Sequence, residues 1–102
     1  MSERPSAAKL LSFKLQDGKT QEQAVEALAA VSEYFAEQPG GQHGTFLHHE
    51  ESDTYYVFAL AESLETLKSE GRAMVTSGAG DSLFSVIDPP TFTALDCVVL
   101  DV

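Results

Sequence analysis

The sequence predicts an α+β fold in which one four-stranded antiparallel sheet is backed by two helices. Three observations predict it. Stretches of alternating or β-branched apolar residues recur four times. Two longer stretches carry apolar residues at 3.6-residue spacing. The two kinds follow one another in the order strand, helix, strand, strand, helix, strand.

Residues 1–7 are polar, contain Pro5 and read as a loose arm, so the folded domain is expected over 8–102. In 8–15, Leu11, Phe13 and Leu15 alternate with Leu10, Ser12 and Lys14, the period of a strand. "QDGKT" is turn chemistry. Thr20 is then a good helix N-cap, with Gln23 at the capping-box spacing. Val25, Leu28, Ala29, Ser32 and Phe35 form one face of that helix, flanked by Ala24, Val31 and Tyr34. "PGG" at 39–41 ends it.

Residues 43–50 and 54–60 read as two strands joined by the polar "ESD". A second helix begins near Glu62, its inner face marked by Leu64, Leu67, Gly71 and Met74, and "TSGAGDS" breaks it. "SLFSVI" forms one more helical turn before "DPP". Residues 92–102 are too apolar and β-branched to be anything but a strand. This order is the ferredoxin-like, split βαβ pattern.

Length and composition narrow the function classes. The chain has 102 residues, which is one domain with one modest core. Its net charge of -10 argues against nucleic acid and against anionic membrane surfaces. A single cysteine, Cys97, excludes an internal disulfide and any multi-cysteine metal site. No secretory leader or membrane-length apolar run is evident, so a cytoplasmic protein is expected.

Two helices on a four-stranded sheet cover one face only. Strands three and four nevertheless carry apolar residues at both parities, Tyr56, Phe58 and Leu60 against Tyr55, Val57 and Ala59 in the first case. The second face therefore calls for a partner, and a homodimer closed through the sheets is expected. Bulk assigns Leu11, Phe13, Leu15, Tyr56, Phe58 and Leu60 to the helices. The even-length connection between strands two and three sets His48 beside Tyr55 and Phe46 beside Val57. The partner side then carries Leu10, Ser12, Lys14, Gly44, Phe46, His48, Glu50, Tyr55, Val57 and Ala59, and its small residues leave room for a ligand.

With that order on the page, the chain resembles the dimeric α/β-barrel superfamily, and within it the antibiotic-biosynthesis-monooxygenase-like domains. The resemblance spans roughly 8–102 and rests on the element order and on "YYVFALAESLETLKSEGRAMVTSGAGDSLFSVIDPPTF". It implies a homodimer, a pocket in each subunit and a monooxygenase-like reaction on an aromatic or apolar small molecule, with no cofactor and no metal. A non-catalytic dimer, or an isomerase or lyase using the same pocket, is the alternative. Many relatives carry an acidic residue and a tryptophan where Ala59 and Ala61 stand here, and the chain has no tryptophan. That points away from haem degradation.

His48 is the candidate base for a phenolic substrate and Tyr55 the candidate group to orient it. Ser12, Phe46, Val57 and Asp96 are the candidate substrate-binding residues. Asp96 is the odd carboxylate in an apolar strand, and such a group is either perturbed at a site or solvated at a strand end. His48 and His49 point to opposite faces of a regular strand. His48 and Glu50 share one, about 6.6 Å apart along the strand, but lack a third metal ligand.

Overall fold

A computed structural model describes residues 6–37 and 44–100. Strand β1 (Ala7–Phe13) is followed by helix α1 (Gln21–Glu37), strands β2 (Thr45–His49) and β3 (Thr54–Ala61), helix α2 (Leu64–Ser77), the single turn α3 (Asp81–Phe84), a 3-10 turn over Pro89–Thr91 and strand β4 (Thr93–Val98). The sheet order is β2-β3-β1-β4 and every pairing is antiparallel. This is the expected α+β, ferredoxin-like arrangement. His43 and the "PGG" stop lie outside the described residues.

Local chemistry sets the helix ends. Gln23 donates its backbone N–H to Thr20 Oγ1 at 3.2 Å, and Thr20 donates its own to Gln23 Oε1 at 2.9 Å, the reciprocal capping box that opens α1. Helix α2 begins one residue after Ser63, whose hydroxyl accepts the Thr66 N–H at 3.1 Å. It ends at Gly78, whose φ of 79° suits a residue without Cβ and turns its N–H back to Met74 and Val75. The inner face of α1 is rotated from the expected one. Ala24, Ala27, Leu28, Val31 and Ser32 are buried, whereas Val25 and Ala29 are exposed. A stripe read as 24, 28, 31 and 35 is equally helical in spacing, and packing chooses it.

The core lies between the sheet and the helices. Phe13, Leu83 and Ile87 are its largest fully buried side chains. The segment after α2, expected as one helical turn, thus supplies core residues as well as a turn. Ile87 also bridges Leu15, which extends the β1 edge of the core.

The face assignment of β3 and β2 is corrected. Leu11 pairs with Val57 and Phe13 with Tyr55 across the β1–β3 ladder. Directly paired residues share a face, so Tyr55 and Val57 join Leu11 and Phe13 against the helices. Tyr56 and Phe58 point outward. The β2–β3 register is the expected one, His48 opposite Tyr55 and Phe46 opposite Val57. Both members of each pair therefore lie on the helix side, where the sequence reading had set them toward a partner.

Candidate functional site

Behind the sheet the packing is incomplete. Three chambers of about 150, 30 and 20 Å³ adjoin one another between the sheet and helices α1 and α2, and all three are lined by Lys9 and Phe35. The largest adds Leu11, Gly71, Met74, Leu83, Phe92 and Ala94. It opens toward solvent beside exposed Val75 and Phe84, and there Phe84 and Phe92 pack edge to face at 5.8 Å. The second chamber lies against Gly44, Phe46 and Val57. A broader groove of about 420 Å³ runs along the polar side of α2, with Ser63, Glu65, Ser69 and Arg72 among its lining residues. Its lining is largely polar and holds no aromatic side chain, so the cavity behind the sheet is the better site for an apolar ligand.

The charged groups that line that cavity are Lys9 of β1 and Glu70 of α2, with Asp96 of β4 bonded to Lys9, and Ser32 of α1 lines the second chamber. Lys9 is the one charged residue of β1, and its position, two before Leu11, aims it at the helix side. Its Nζ donates to Asp96 Oδ1 on the neighbouring strand at 2.7 Å, and the two residues are directly paired in the β1–β4 ladder. Asp96, the odd carboxylate of the last strand, is thus the counter-charge of Lys9. Glu70 stands in the buried row of α2 with Leu67 and Met74 and lines the smallest chamber. Burial first, and the Glu62 charge second, raise its carboxyl above the ordinary glutamate range, while the Lys9 ammonium opposes them.

Sequence reasoning passed over Lys9 and Glu70. Lys9 has the parity of Leu11 and Phe13, so a lysine on the core face was legible once that face was chosen. Glu70 follows Leu67 by three residues and precedes Met74 by four, the spacing of one helical face.

His48 and Tyr55 are brought together, at the hairpin end of the same face. Their rings stack at 4.4 Å, and Tyr55 stacks in turn on Phe13 at 5.7 Å. His48 Nε2 lies 2.9 Å from Asp53 Oδ1, and an N–H there donates to the carboxylate. Asp53 takes a left-handed φ of 51° in the tight turn, which a short polar side chain tolerates. Burial, then the Asp53 charge, raise the Tyr55 hydroxyl above its usual range. The pair lies two residues, about 6.6 Å, along the strands from Phe46 and Val57, and neither residue lines a chamber.

The remaining candidates divide between the faces. Phe46, Val57 and Asp96 stand on the helix side with Lys9. Ser12, paired with Tyr56 and Thr93, stands on the outward face and apart from them. Glu50 lies in the β2–β3 turn. Among the described residues no three His, Cys, Asp or Glu side chains are grouped to hold a metal ion, and no helix is long and apolar enough to cross a membrane. The outward face is apolar and exposed, with Leu10, Leu47, Tyr56, Phe58 and Leu95 upon it.

No family model matches the chain, and no curated protein matches it in sequence. Solved structures do match in shape. SnoaB, a cofactor-independent oxygenase from Streptomyces nogalater, is similar with a TM-score of 0.72 at 14% identity, over 97% of this chain and 95% of that one. A dimeric ferredoxin-like protein of unknown function from Thermobifida fusca is similar with a TM-score of 0.70 at 12% identity, over 97% and 96%. A provisionally named antibiotic biosynthesis monooxygenase from Chloroflexus aurantiacus is similar with a TM-score of 0.65 at 15% identity, over 95% and 96%. The chain therefore has the ferredoxin-like fold that these solved structures share.

Proposed function

We propose that the chain forms a cytoplasmic homodimer that binds an aromatic or other apolar small molecule behind each sheet and acts on it as a cofactor-independent, monooxygenase-like enzyme. One observation carries this: an apolar cavity whose wall holds a single ammonium, Lys9, between two carboxylates. Support for the dimer comes from the exposed apolar outward face and from similarity in fold to proteins described as dimeric. Support for oxygen chemistry comes from similarity in fold to a cofactor-independent oxygenase.

In such a reaction the substrate supplies the electrons. A base removes a proton to give an electron-rich anion, one oxygen atom enters the substrate carbon, and the other leaves as water with two substrate hydrogens. His48 is the proposed base, oriented by Asp53, and Tyr55 the proposed orienting group. Phe46, Val57 and Asp96 are proposed to contact the substrate. Ser12 is proposed to serve the dimer-facing side of the sheet.

A second reading, a ligand-binding dimer without catalysis, is favoured by the distance of His48 and Tyr55 from the chambers, since Phe46 and Val57 stand between. Oxygen uptake with a series of hydroquinols separates these readings. Product formed with one O2 consumed supports the oxygenase. Product without uptake indicates an isomerase or lyase, and binding without product indicates the second reading. Gly71→Leu, which extends a side chain into the largest chamber, should abolish binding in every case; retained binding would remove the cavity from the account.

A further inference from the structure

Glu70 is the polar group that the fold leaves unanswered. It is 8 % exposed, and its Oε1 has no hydrogen-bond partner among the described residues. A buried carboxylate oxygen without a donor is destabilising and rare, so a role for it is expected. It faces a chamber of the cavity together with Lys9, Phe35 and Ala59. The Lys9 ammonium, which carries three N–H donors, makes one side-chain hydrogen bond among the described residues, to Asp96. It also borders the largest chamber, because a Cβ at Gly71 would lie 3.9 Å from Nζ.

Lys9 thus borders both chambers, while Glu70 borders the smallest, so an acceptor lacking a donor and an ammonium with donors to spare meet in the small chamber that adjoins the largest one at Lys9 and Phe35. A hydroxyl answers both, since it donates through O–H and accepts through its lone pairs. An anionic ligand would answer Lys9 but add charge beside Asp96 and Glu70. A cationic one would answer Glu70 but meet Lys9. Size narrows the class further. The largest chamber, about 150 Å³, matches a dry cavity that takes one benzene ring, about 150 Å³, and is below the roughly 300 Å³ of a pocket for larger ligands.

We propose that the cavity selects a one-ring phenol, whose ring fills the space among Phe35, Met74, Leu83 and Phe92 and whose hydroxyl donates to Glu70 Oε1 while accepting from Lys9 Nζ. This rests on the sheet–helix cavity proposed above as the ligand site and not on the role proposed for His48, since Lys9 lies four residues along β1 from Phe13, on which the Tyr55–His48 pair stacks; it adds the ligand class and the two residues that choose it.

The test is titration of the full chain with phenol and with toluene, which replaces the hydroxyl by a methyl of similar size, followed by calorimetry and ligand-observed NMR. Phenol is expected to bind about 10- to 100-fold more tightly than toluene, the usual gain from hydrogen bonds to charged groups. Glu70→Leu, which removes the orphan oxygen without leaving a buried charge, should keep toluene binding and erase the preference. Glu70→Gln, which keeps an acceptor at the same place, should retain most of it. Equal binding of phenol and toluene by the wild type, or a preference that survives Glu70→Leu, overturns the phenol assignment and leaves the cavity standing. Failure of both rings to bind overturns it together with the cavity.

Discussion

Phe58→Asp should convert the proposed dimer to a monomer without unfolding it. Phe58 is 37% exposed on the outward face of β3, with Leu10, Tyr56 and Leu95 on the same face. Burying a whole phenylalanine side chain contributes about 1.5–3 kcal/mol, so completing this one contributes roughly 1 kcal/mol. Twofold symmetry counts it twice. A carboxylate closed into that apolar interface near its symmetry mate adds several kcal/mol of cost. The total, on the order of 5 kcal/mol, weakens association by about 10³–10⁴. In the single subunit the outward position keeps the new charge in contact with water. Sedimentation equilibrium and light scattering from micromolar to millimolar protein should give a wild-type dimer and a variant monomer with the same far-UV circular dichroism. A variant that dimerises as tightly as the wild type, or a wild type that is monomeric at millimolar concentration, would refute the sheet-to-sheet interface.

Three further outcomes follow from the core and the cavity. The Glu70 carboxyl is raised in the folded state, so the native protein binds the proton more tightly than the unfolded chain. Stability should accordingly fall as pH rises from the ordinary glutamate value near 4.5 through the raised one. Glu70→Leu should remove that fall, and it should raise Tm by about 4–8 °C at neutral pH for each 1 kcal/mol gained; calorimetric melts across pH check both. Phe13→Ala, at a fully buried position stacked on Tyr55, should lose about 3–5 kcal/mol in urea unfolding. Ser63→Ala, which removes the cap of α2, should lose about 1 kcal/mol by the same measurement.

Much of the fold was legible because its signals are local. Thr20 and Gln23 specify the start of α1 within four residues, and Gly78 specifies the end of α2. The β2–β3 register was legible too, because a short hairpin fixes which residues are opposed. What failed was the face of that hairpin. Bulk favoured Tyr56, Phe58 and Leu60 for the core, yet the face follows from the register between β1 and β3, which are about forty residues apart and joined by no tight turn. Both faces of β3 are apolar, so nothing in the strand itself settles the choice. The same physics that implies a partner for the second face hides which face is second.

The site was legible in parts. His48 and Tyr55 were paired correctly by register, and Phe46, Val57 and Asp96 share the face on which the cavity lies. Ser12 does not, because its parity opposes that of Leu11. The meaning of Asp96 depended on Lys9, some ninety residues earlier, and only the β1–β4 ladder brings them together. The strand "AKLLSFKL" and its lone inner lysine had looked ordinary for the same reason. Its significance lies in what crosses it, namely a carboxylate on the next strand and a second one on α2.

The position of the ligand tests the central claim most directly. A crystal structure of the chain soaked with phenol should show ring density behind the sheet, in contact with Phe35, Met74 and Leu83, with the hydroxyl oxygen at hydrogen-bonding distance from Lys9 Nζ and Glu70 Oε1. Ring density between the facing sheets, against Tyr56 and Phe58, would contradict it.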